Sequence, residues 1–99
     1  MSKDITTIHA VICGRVQGVG YRAWTVEKAQ SLGLTGWVRN RSNSTVEAVF
    51  CGAESNVDAM INACRSGPAL ARVDSIKTTT AENKGWDTFS RPLKTSISL

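Results

Sequence analysis

Three glycines and two arginines fall within nine residues of this sequence, and their arrangement suits the binding of an anion. The segment Gly14–Gly20 has a composition typical of a loop, and good helix formers follow from Tyr21 onward. A loop that leads into a helix presents unpaired backbone N–H groups at the positive end of the helix dipole. Arg22 falls in the first turn of that helix, where its guanidinium can fold back over the loop. The segment therefore predicts a cradle for a phosphoryl group.

Three better-known phosphate-binding motifs do not fit this segment. A Walker A loop ends in Gly-Lys-Ser/Thr, whereas Gly20 is followed by a tyrosine and an arginine. The stretch Gly18–Ala23 matches the dinucleotide pattern GxGxxA, but that pattern also needs an acidic residue about 20 positions onward. No Asp or Glu occurs between Lys28 and Val46. A cysteine-dependent phosphatase would carry its thiol where Val16 stands, so a thiolate nucleophile is not predicted either.

Hydrophobic periodicity and glycine or proline breaks divide the chain into short strands and two helices. The predicted elements are a strand at 5–13, a helix at 21–32, strands at 35–40 and 45–51, a helix at 55–66, a strand at 70–80 and a short strand near 86–90. This order is packed most economically by placing both helices on one face of an antiparallel sheet. We therefore predict the α+β class and a ferredoxin-like α/β sandwich, βαββαβ.

Apolar spacing also assigns the face that each helix buries. In the first helix, Ala23, Val26 and Ala29 lie on one stripe. The second helix carries a stripe at i, i+3, i+4 and i+7 within Val57–Cys64, and Ser55 is its predicted N-cap. Both stripes are expected to face the sheet.

The predicted topology brings distant parts of the chain together. The first and second strands run parallel with the third between them, so their C-terminal ends share one edge of the sheet. The loop at 14–20 follows the first strand and Asn40 closes the second, so we expect them to lie close in space. Arg15, Arg39 and Arg41 lie on or near the same edge and are expected to deepen its positive potential.

Length and composition bound the remaining possibilities. The 99 residues are predicted to form one domain over 1–99, with its core at 5–90 and a loose tail at 91–99. The net charge of +4 indicates an anionic partner. No apolar run approaches the roughly 20 residues of a membrane helix, and the N-terminus carries no signal-peptide apolar region. We therefore expect no membrane partner and a cytoplasmic location.

Metal-ligating residues are too few and too widely spaced for a predicted metal site. The three cysteines form no CxxC pair, and His9 is the single histidine, expected in a structural or solvated role on the open face of the sheet. Cys13 and Cys51 are expected at opposite ends of their paired strands, which disfavours a disulfide between them. Free thiols are therefore predicted.

Two motifs carry a resemblance to a known family. The segment Gly14-Arg15-Val16-Gln17-Gly18-Val19-Gly20-Tyr21-Arg22 strongly resembles the first signature of the acylphosphatase family. The segment Gly36-Trp37-Val38-Arg39-Asn40, continuing to Val46 and Gly52, resembles the second. Gly67-Pro68 followed by Ala71-x-Val73 is also similar to the family. The resemblance covers residues 5–90.

The resemblance implies a small enzyme that hydrolyses an acyl phosphate to a carboxylate and inorganic phosphate, without a metal or another cofactor. It implies that Arg22 binds the phosphoryl group and that Asn40 positions the attacking water. Backbone donors would come from the loop residues Arg15, Val16, Gln17, Gly18, Val19 and Gly20. The sequence departs from the family pattern at Ser44, where glycine is usual. Asn43 is expected to take the positive φ that the glycine would have taken.

The chemistry of the predicted site agrees with an activated substrate. The site lacks a histidine, a carboxylate and a thiol, and an acyl phosphate needs no general acid because its leaving carboxylate is already stable.

Two alternatives stay open: a catalytically inactive acylphosphatase-like module, and an RNA-binding ferredoxin-like domain. The third strand has one aromatic residue, Phe50, expected on the core side, which disfavours base stacking. We expect a monomer with a small-molecule partner and no nucleic acid.

Overall fold

The computed structural model describes residues 4–90, in which two helices pack on one face of a five-stranded sheet. The elements are β1 (Ile5–Arg15), α1 (Tyr21–Ser31), β2 (Thr35–Asn40), β3 (Val46–Ala53), α2 (Glu54–Cys64), β4 (Arg72–Thr80) and β5 (Phe89–Ser90). The strand order is β4-β1-β3-β2-β5. The predicted ferredoxin-like α+β fold is confirmed. The predicted tail at 91–99 lies outside the described residues.

β5 adds a short parallel strand to an otherwise antiparallel sheet. Phe89 pairs with Gly36 of β2, and the Phe89 ring stacks on Phe50 with the ring centroids 5.4 Å apart. This contact closes the core beside β2. The order of the other four strands is the one that the sequence predicts.

The pairing of β3 with its two neighbours places the ends of β1 and β2 side by side. Val46 pairs with Ile12 of β1 on one side and with Asn40 of β2 on the other. Since β1 and β2 run parallel across β3, the loop after β1 and the last residue of β2 meet at one edge of the sheet. The same register pairs Cys51 with Thr7, far from Cys13, and all three cysteines are free.

The core lies between the helices and the sheet. Its fully buried side chains on β1, β3 and α2 include Ala10, Ile12, Val46, Ala48, Phe50, Val57, Met60 and Cys64. Each large side chain contributes about 1.5–3 kcal/mol by leaving water. The stripe predicted on α2 is therefore the one that packs. Within residues 4–90, neither helix has the length and apolar character to cross a membrane.

The buried face of α1 differs from the prediction. Tyr21, Thr25 and Ala29 are buried, whereas Ala23 is exposed and Val26 is half-buried. The face is set by Tyr21, whose ring enters the core and whose hydroxyl donates a hydrogen bond of 2.6 Å to the Cys64 carbonyl. Burial of this one large side chain sets the face of the helix, and Ala29 is the one member of the predicted stripe that is fully buried.

The junction of β3 and α2 also differs from the prediction. β3 continues past Cys51 because Ala53 still pairs with Ile5 of β1. α2 then begins at Glu54, with Ala53 rather than Ser55 at the N-cap position. Glu54 lies in the first turn, where a carboxylate interacts favourably with the positive end of the helix dipole.

In the turn between β2 and β3, the residue with a positive φ is not the one that the sequence predicts. Ser44 has a φ of +72°, and Asn43 does not take the positive φ expected of it. The Asn43 side chain is used differently: its Oδ1 accepts hydrogen bonds from Thr45 N at 3.3 Å and from Thr45 Oγ1 at 2.6 Å. With Asn43 held in this way, the left-handed conformation falls on the next residue.

Replacing Ser44 with glycine should stabilise the protein. Glycine adopts a positive φ without the steric cost of a Cβ, so we expect Ser44→Gly to raise the free energy of unfolding by about 0.5–1 kcal/mol. Chemical denaturation measures the change. Ser42→Gly is the matched control, since Ser42 has no positive φ and glycine there should lower stability by roughly 0.5 kcal/mol. Equal stabilisation by both changes would contradict this account of the turn.

Candidate active site

A small cavity lies where the ends of β1 and β2 meet the start of α1. Its volume is about 100 Å³, and it is lined by Val16, Gly18, Gly20, Tyr21, Arg22, Ala23 and Asn40. Larger cavities of about 340 Å³ and 150 Å³ lie against α2 and on the outer side of α1. Neither of these is lined by a residue of the predicted site. The smaller cavity is the candidate site because it joins the glycine-rich loop, an arginine and an asparagine.

The loop of residues 16–20 owes its shape to glycine. Gly18 and Gly20 have φ values of +75° and +79°. A Cβ at either position would meet no atom within 4 Å, so it is the backbone conformation, not crowding, that favours glycine. Val16 is buried in the core and Val19 packs against it. These two side chains anchor the loop to the core, while Gly18 and Gly20 line the cavity.

The start of α1 is left open for an anion. Gly20 is the N-cap, it makes no side-chain capping bond, and the first turn contains no acidic residue. The first N–H groups of a helix have no partner within the helix, and the dipole places partial positive charge beside them. An oxyanion in the cavity would satisfy these donors.

Arg22 adds a full charge to the same cavity. Its side chain is half-buried and lines the cavity from the first turn of α1. No carboxylate between residues 4 and 90 forms an ion pair with it. The guanidinium is therefore available to bind an anion through two parallel N–H donors.

Asn40 faces the cavity from the end of β2. Its Oδ1 is buried and accepts no hydrogen bond from any group in the described part of the chain. A buried polar atom without a partner costs about 1–3 kcal/mol, and such atoms are rare outside functional positions. The carboxamide oxygen can therefore accept a hydrogen bond from a small donor in the cavity, such as water.

Gln17 connects the loop to the turn that follows Asn40. Its Nε2 donates hydrogen bonds to the Arg41 carbonyl at 2.9 Å and to the Thr45 carbonyl at 2.8 Å. The side chain lies outside the cavity lining and crosses to the β2–β3 turn. It ties together the two segments that form the cavity, a role that the sequence pattern did not reveal because its partners are backbone carbonyls far along the chain.

The arginines beside Asn40 do not point into the cavity. Arg39 and Arg41 reach the open face of the sheet, opposite the helices, where their Nε atoms lie 2.8 Å and 4.0 Å from Glu47 Oε1. The expectation that they deepen the positive potential at the site is therefore wrong. Side chains alternate along a strand, so Asn40 and Arg39 must face opposite sides. Arg15 ends β1 opposite Arg72, is exposed, and does not line the cavity.

Glu47 is a buried acid that sequence reasoning missed. His9 Nε2 lies 2.7 Å from its Oε2, and the residue is 7% exposed. Burial favours the neutral carboxyl group, but the hydrogen bonds from His9 and Arg39 and the charge of Arg41 outweigh it and hold the pKa of Glu47 below its usual value. The carboxylate is therefore ionised at neutral pH. His9 lies on the open face, as predicted.

Tyr21 contributes shape to the cavity but no proton. Burial, reinforced by Cys64, raises the pKa of its hydroxyl far above the usual value. Burial likewise raises the pKa of the Cys64 thiol to about 12, although the bond from Tyr21 and the charge of Arg65 oppose the shift. Both groups stay protonated at neutral pH, so neither can serve as a base.

The lining combines donors, one cation and one acceptor. It includes no imidazole, carboxylate or thiol. Across residues 4–90, no group of three or more His, Cys, Asp or Glu side chains could hold a metal ion. Such a cavity can bind an oxyanion and orient a water molecule, and it has no group of its own for general acid catalysis.

Comparisons with known proteins agree on one family. The acylphosphatase family model matches residues 8–90. An acylphosphatase of Rhodospirillum rubrum is 59% identical over 73 residues, 74% of this chain and 80% of that protein. One from Azorhizobium caulinodans is 59% identical over 76 residues, 77% of this chain and 82% of that protein. The solved structure of an acylphosphatase from Coxiella burnetii has a TM-score of 0.87 at 33% identity, covering 91% of this chain and 95% of that one.

Removing the donors of Gln17 should loosen the cavity. Gln17→Glu keeps the length of the side chain but turns a carboxylate toward two carbonyl oxygens, so we expect a loss of roughly 1–3 kcal/mol in the free energy of unfolding. Inorganic phosphate should also bind more weakly, which calorimetry measures. Gln30→Glu is the matched control, because Gln30 Nε2 donates to the Phe89 carbonyl at 3.2 Å, away from the cavity. Equal loss of phosphate binding in both variants would refute the proposed tie.

Proposed function

Because the chain belongs to the acylphosphatase family, we propose that it holds a phosphoryl group with the 15–20 loop and Arg22 while Asn40 positions the attacking water. The reaction follows from the family: an acyl phosphate and water give a carboxylate and inorganic phosphate. The assignment of residues to roles is the proposal. The backbone donors would be those of Arg15, Val16, Gln17, Gly18, Val19 and Gly20, together with the first turn of α1.

One observation carries the assignment. Arg22 and Asn40 come from different elements, yet both line the same small cavity. One is a cation with no ion-pair partner in residues 4–90, and the other presents a buried oxygen without a protein donor. The Arg22 guanidinium suits the binding of a phosphoryl group. The Asn40 oxygen suits a water molecule held in line with that group.

The missing acid and base agree with this reaction. Water attacks phosphorus, the P–O bond to the acyl group breaks, and the electron pair leaves with a carboxylate that is stable at neutral pH. The proton of the water passes to a phosphoryl oxygen, because the Asn40 carboxamide cannot accept it as a base. Backbone N–H groups and the Arg22 guanidinium stabilise the charge on the equatorial oxygens.

Two alternative functions would give different results in the same tests. An inactive module would bind phosphate without turnover. An RNA-binding domain would need aromatic rings exposed on the sheet, but Phe50 is buried against Phe89, and the Arg39 guanidinium covers Trp37 at 4.7 Å from its ring centroid. These contacts favour the small-molecule reaction over nucleic-acid binding.

We further propose a monomer that acts on small acyl phosphates in the cytoplasm. Its cavity is complete within one chain, since the loop, Arg22 and Asn40 all belong to it. Cys13, Cys51 and Cys64 are free, which agrees with a reducing compartment. Phosphate release from benzoyl phosphate, measured with and without a chelator, tests activity and metal independence together.

Replacing Arg22 with lysine should remove most of the activity. Lysine keeps the charge but not the planar pair of donors, so we expect kcat/KM to fall by about 100-fold or more. Arg65→Lys, at an exposed arginine that lines the larger cavity against α2, should leave turnover of benzoyl phosphate unchanged. Near-normal turnover by Arg22→Lys would contradict bidentate binding.

Replacing Asn40 with alanine should slow the reaction without unfolding the protein. The substitution removes a buried acceptor that has no hydrogen-bond partner in the described residues. The free energy of unfolding should therefore stay the same or increase. We expect the loss of about 2–4 kcal/mol of transition-state stabilisation, seen as a lower kcat. Thermal unfolding and steady-state kinetics measure the two quantities, with Asn62→Ala on α2 as the control. A variant that is less stable but turns over normally would show that Asn40 has a structural role only.

A further inference from the structure

The charged cluster around Glu47 lies outside the cavity, and the proposed mechanism does not use it. Glu47 is on β3, on the open face, directly opposite Arg39 in the β2–β3 register. Its two carboxylate oxygens contact three side chains, those of His9, Arg39 and Arg41. Two of these three residues immediately precede and follow Asn40 in the chain.

The backbone of Asn40 is held by its pairing with Val46, but its carboxamide oxygen is not held by any protein donor in residues 4–90. A carboxamide that must aim at a water molecule therefore depends on its backbone and on its neighbours. The backbone after it is held by the bond of 2.9 Å from Arg41 N to the Thr45 carbonyl and by Gln17. The side chains on either side are held by Glu47.

This arrangement works as a clamp across the strand. Arg39 and Arg41 reach one face of the sheet, and Asn40 between them must face the other. We propose that Glu47 is a positioning residue for the hydrolysis: by fixing Arg39 and Arg41, it sets the direction of the Asn40 carboxamide. The inference rests on the proposed role of Asn40 in holding the water. It assigns the cluster on the open face to the reaction, although no member of it touches the cavity.

A role in stability alone would not require this cluster. Burying an ion pair costs desolvation free energy that can exceed its attraction, and replacing the pair with apolar residues of similar size is often neutral or stabilising. The next outward-facing residue on β3 is Val49, which is also buried. The central strand β3 thus accepts an apolar side chain on this face. Its one charged residue is Glu47, which pairs with the residue that precedes Asn40.

The test compares Glu47→Gln with Val49→Ala. Glutamine keeps the shape of the side chain but removes the charge that holds both arginines. We expect kcat for benzoyl phosphate to fall about 10-fold, less than the roughly 100-fold that a misplacement of about 1 Å can cost. KM and the inhibition constant of inorganic phosphate should stay within about twofold, because the phosphoryl cradle is intact. Val49→Ala should reduce stability with kcat unchanged.

A double variant separates this inference from the proposed function. If Glu47 acts through Asn40, then Glu47→Gln should cause no further loss in kcat when Asn40 is already alanine. The same loss in both backgrounds would overturn the inference, as would unchanged kcat in Glu47→Gln. Normal turnover by the single variant Asn40→Ala would instead contradict the proposed role of Asn40 in holding the water.

A second substitution covers the case in which Glu47→Gln does not fold. Arg39→Met removes one partner of Glu47 at a half-exposed position and keeps a long apolar side chain over Trp37. We expect kcat to fall in the same direction, by a smaller factor because Arg41 keeps its contact with Glu47, and KM to stay unchanged. Normal kcat in this variant would overturn the inference.

Discussion

The pairing of Val46 with Ile12 on one side and Asn40 on the other is the constraint on which the site depends. β3 acts as a spacer of fixed width, since neighbouring strands lie about 4.8 Å apart. It brings the loop after β1 and the end of β2 together at one edge of the sheet, although they are distant in sequence. A slip of one residue in this register would turn Asn40 to the open face and remove it from the cavity. Val38, which lies on β2 two residues before Asn40 and is fully buried, opposes such a slip because it would then leave the core.

Much of the fold follows from local sequence signals, because each signal has a direct physical cause. The apolar stripe on α2 predicts its buried face, and the glycines of the loop predict a break. The order of the elements predicts the sandwich. The misassigned positions share a different cause: they depend on contacts between segments. Tyr21 sets the buried face of α1 through Cys64, and pairing with Ile5 extends β3 past Cys51.

The candidate site likewise combines features that the local sequence predicts with features that depend on contacts between distant segments. The shared position of Gly18, Gly20 and Arg22 at one cavity could be predicted, since a glycine-rich loop and a helix start are adjacent in the chain. The nearness of Asn40 to the loop followed from the predicted topology. The tie from Gln17 to the β2–β3 turn could not be predicted, because an amide that bonds to two distant carbonyls leaves no local pattern. Glu47 was missed for a related reason: a lone acid on a strand has the pattern of a solvated residue until its partners are known.

The sorting of arginines between the two faces also bears on catalysis. The net charge is +4, yet Arg22 is the one arginine among the residues that line the cavity. Arg39 and Arg41 are drawn to Glu47 on the open face. If all three guanidinium groups converged on the phosphoryl group, they would bind substrate, product and transition state alike, and such uniform binding does not raise kcat. Inorganic phosphate would then be held tightly after the reaction. In the proposed mechanism, one guanidinium with a set of backbone donors leaves more of the stabilisation to the charge that develops in the transition state. Strand alternation turns Arg39 away from the cavity, and Glu47 pairs with Arg39 and Arg41 on the open face.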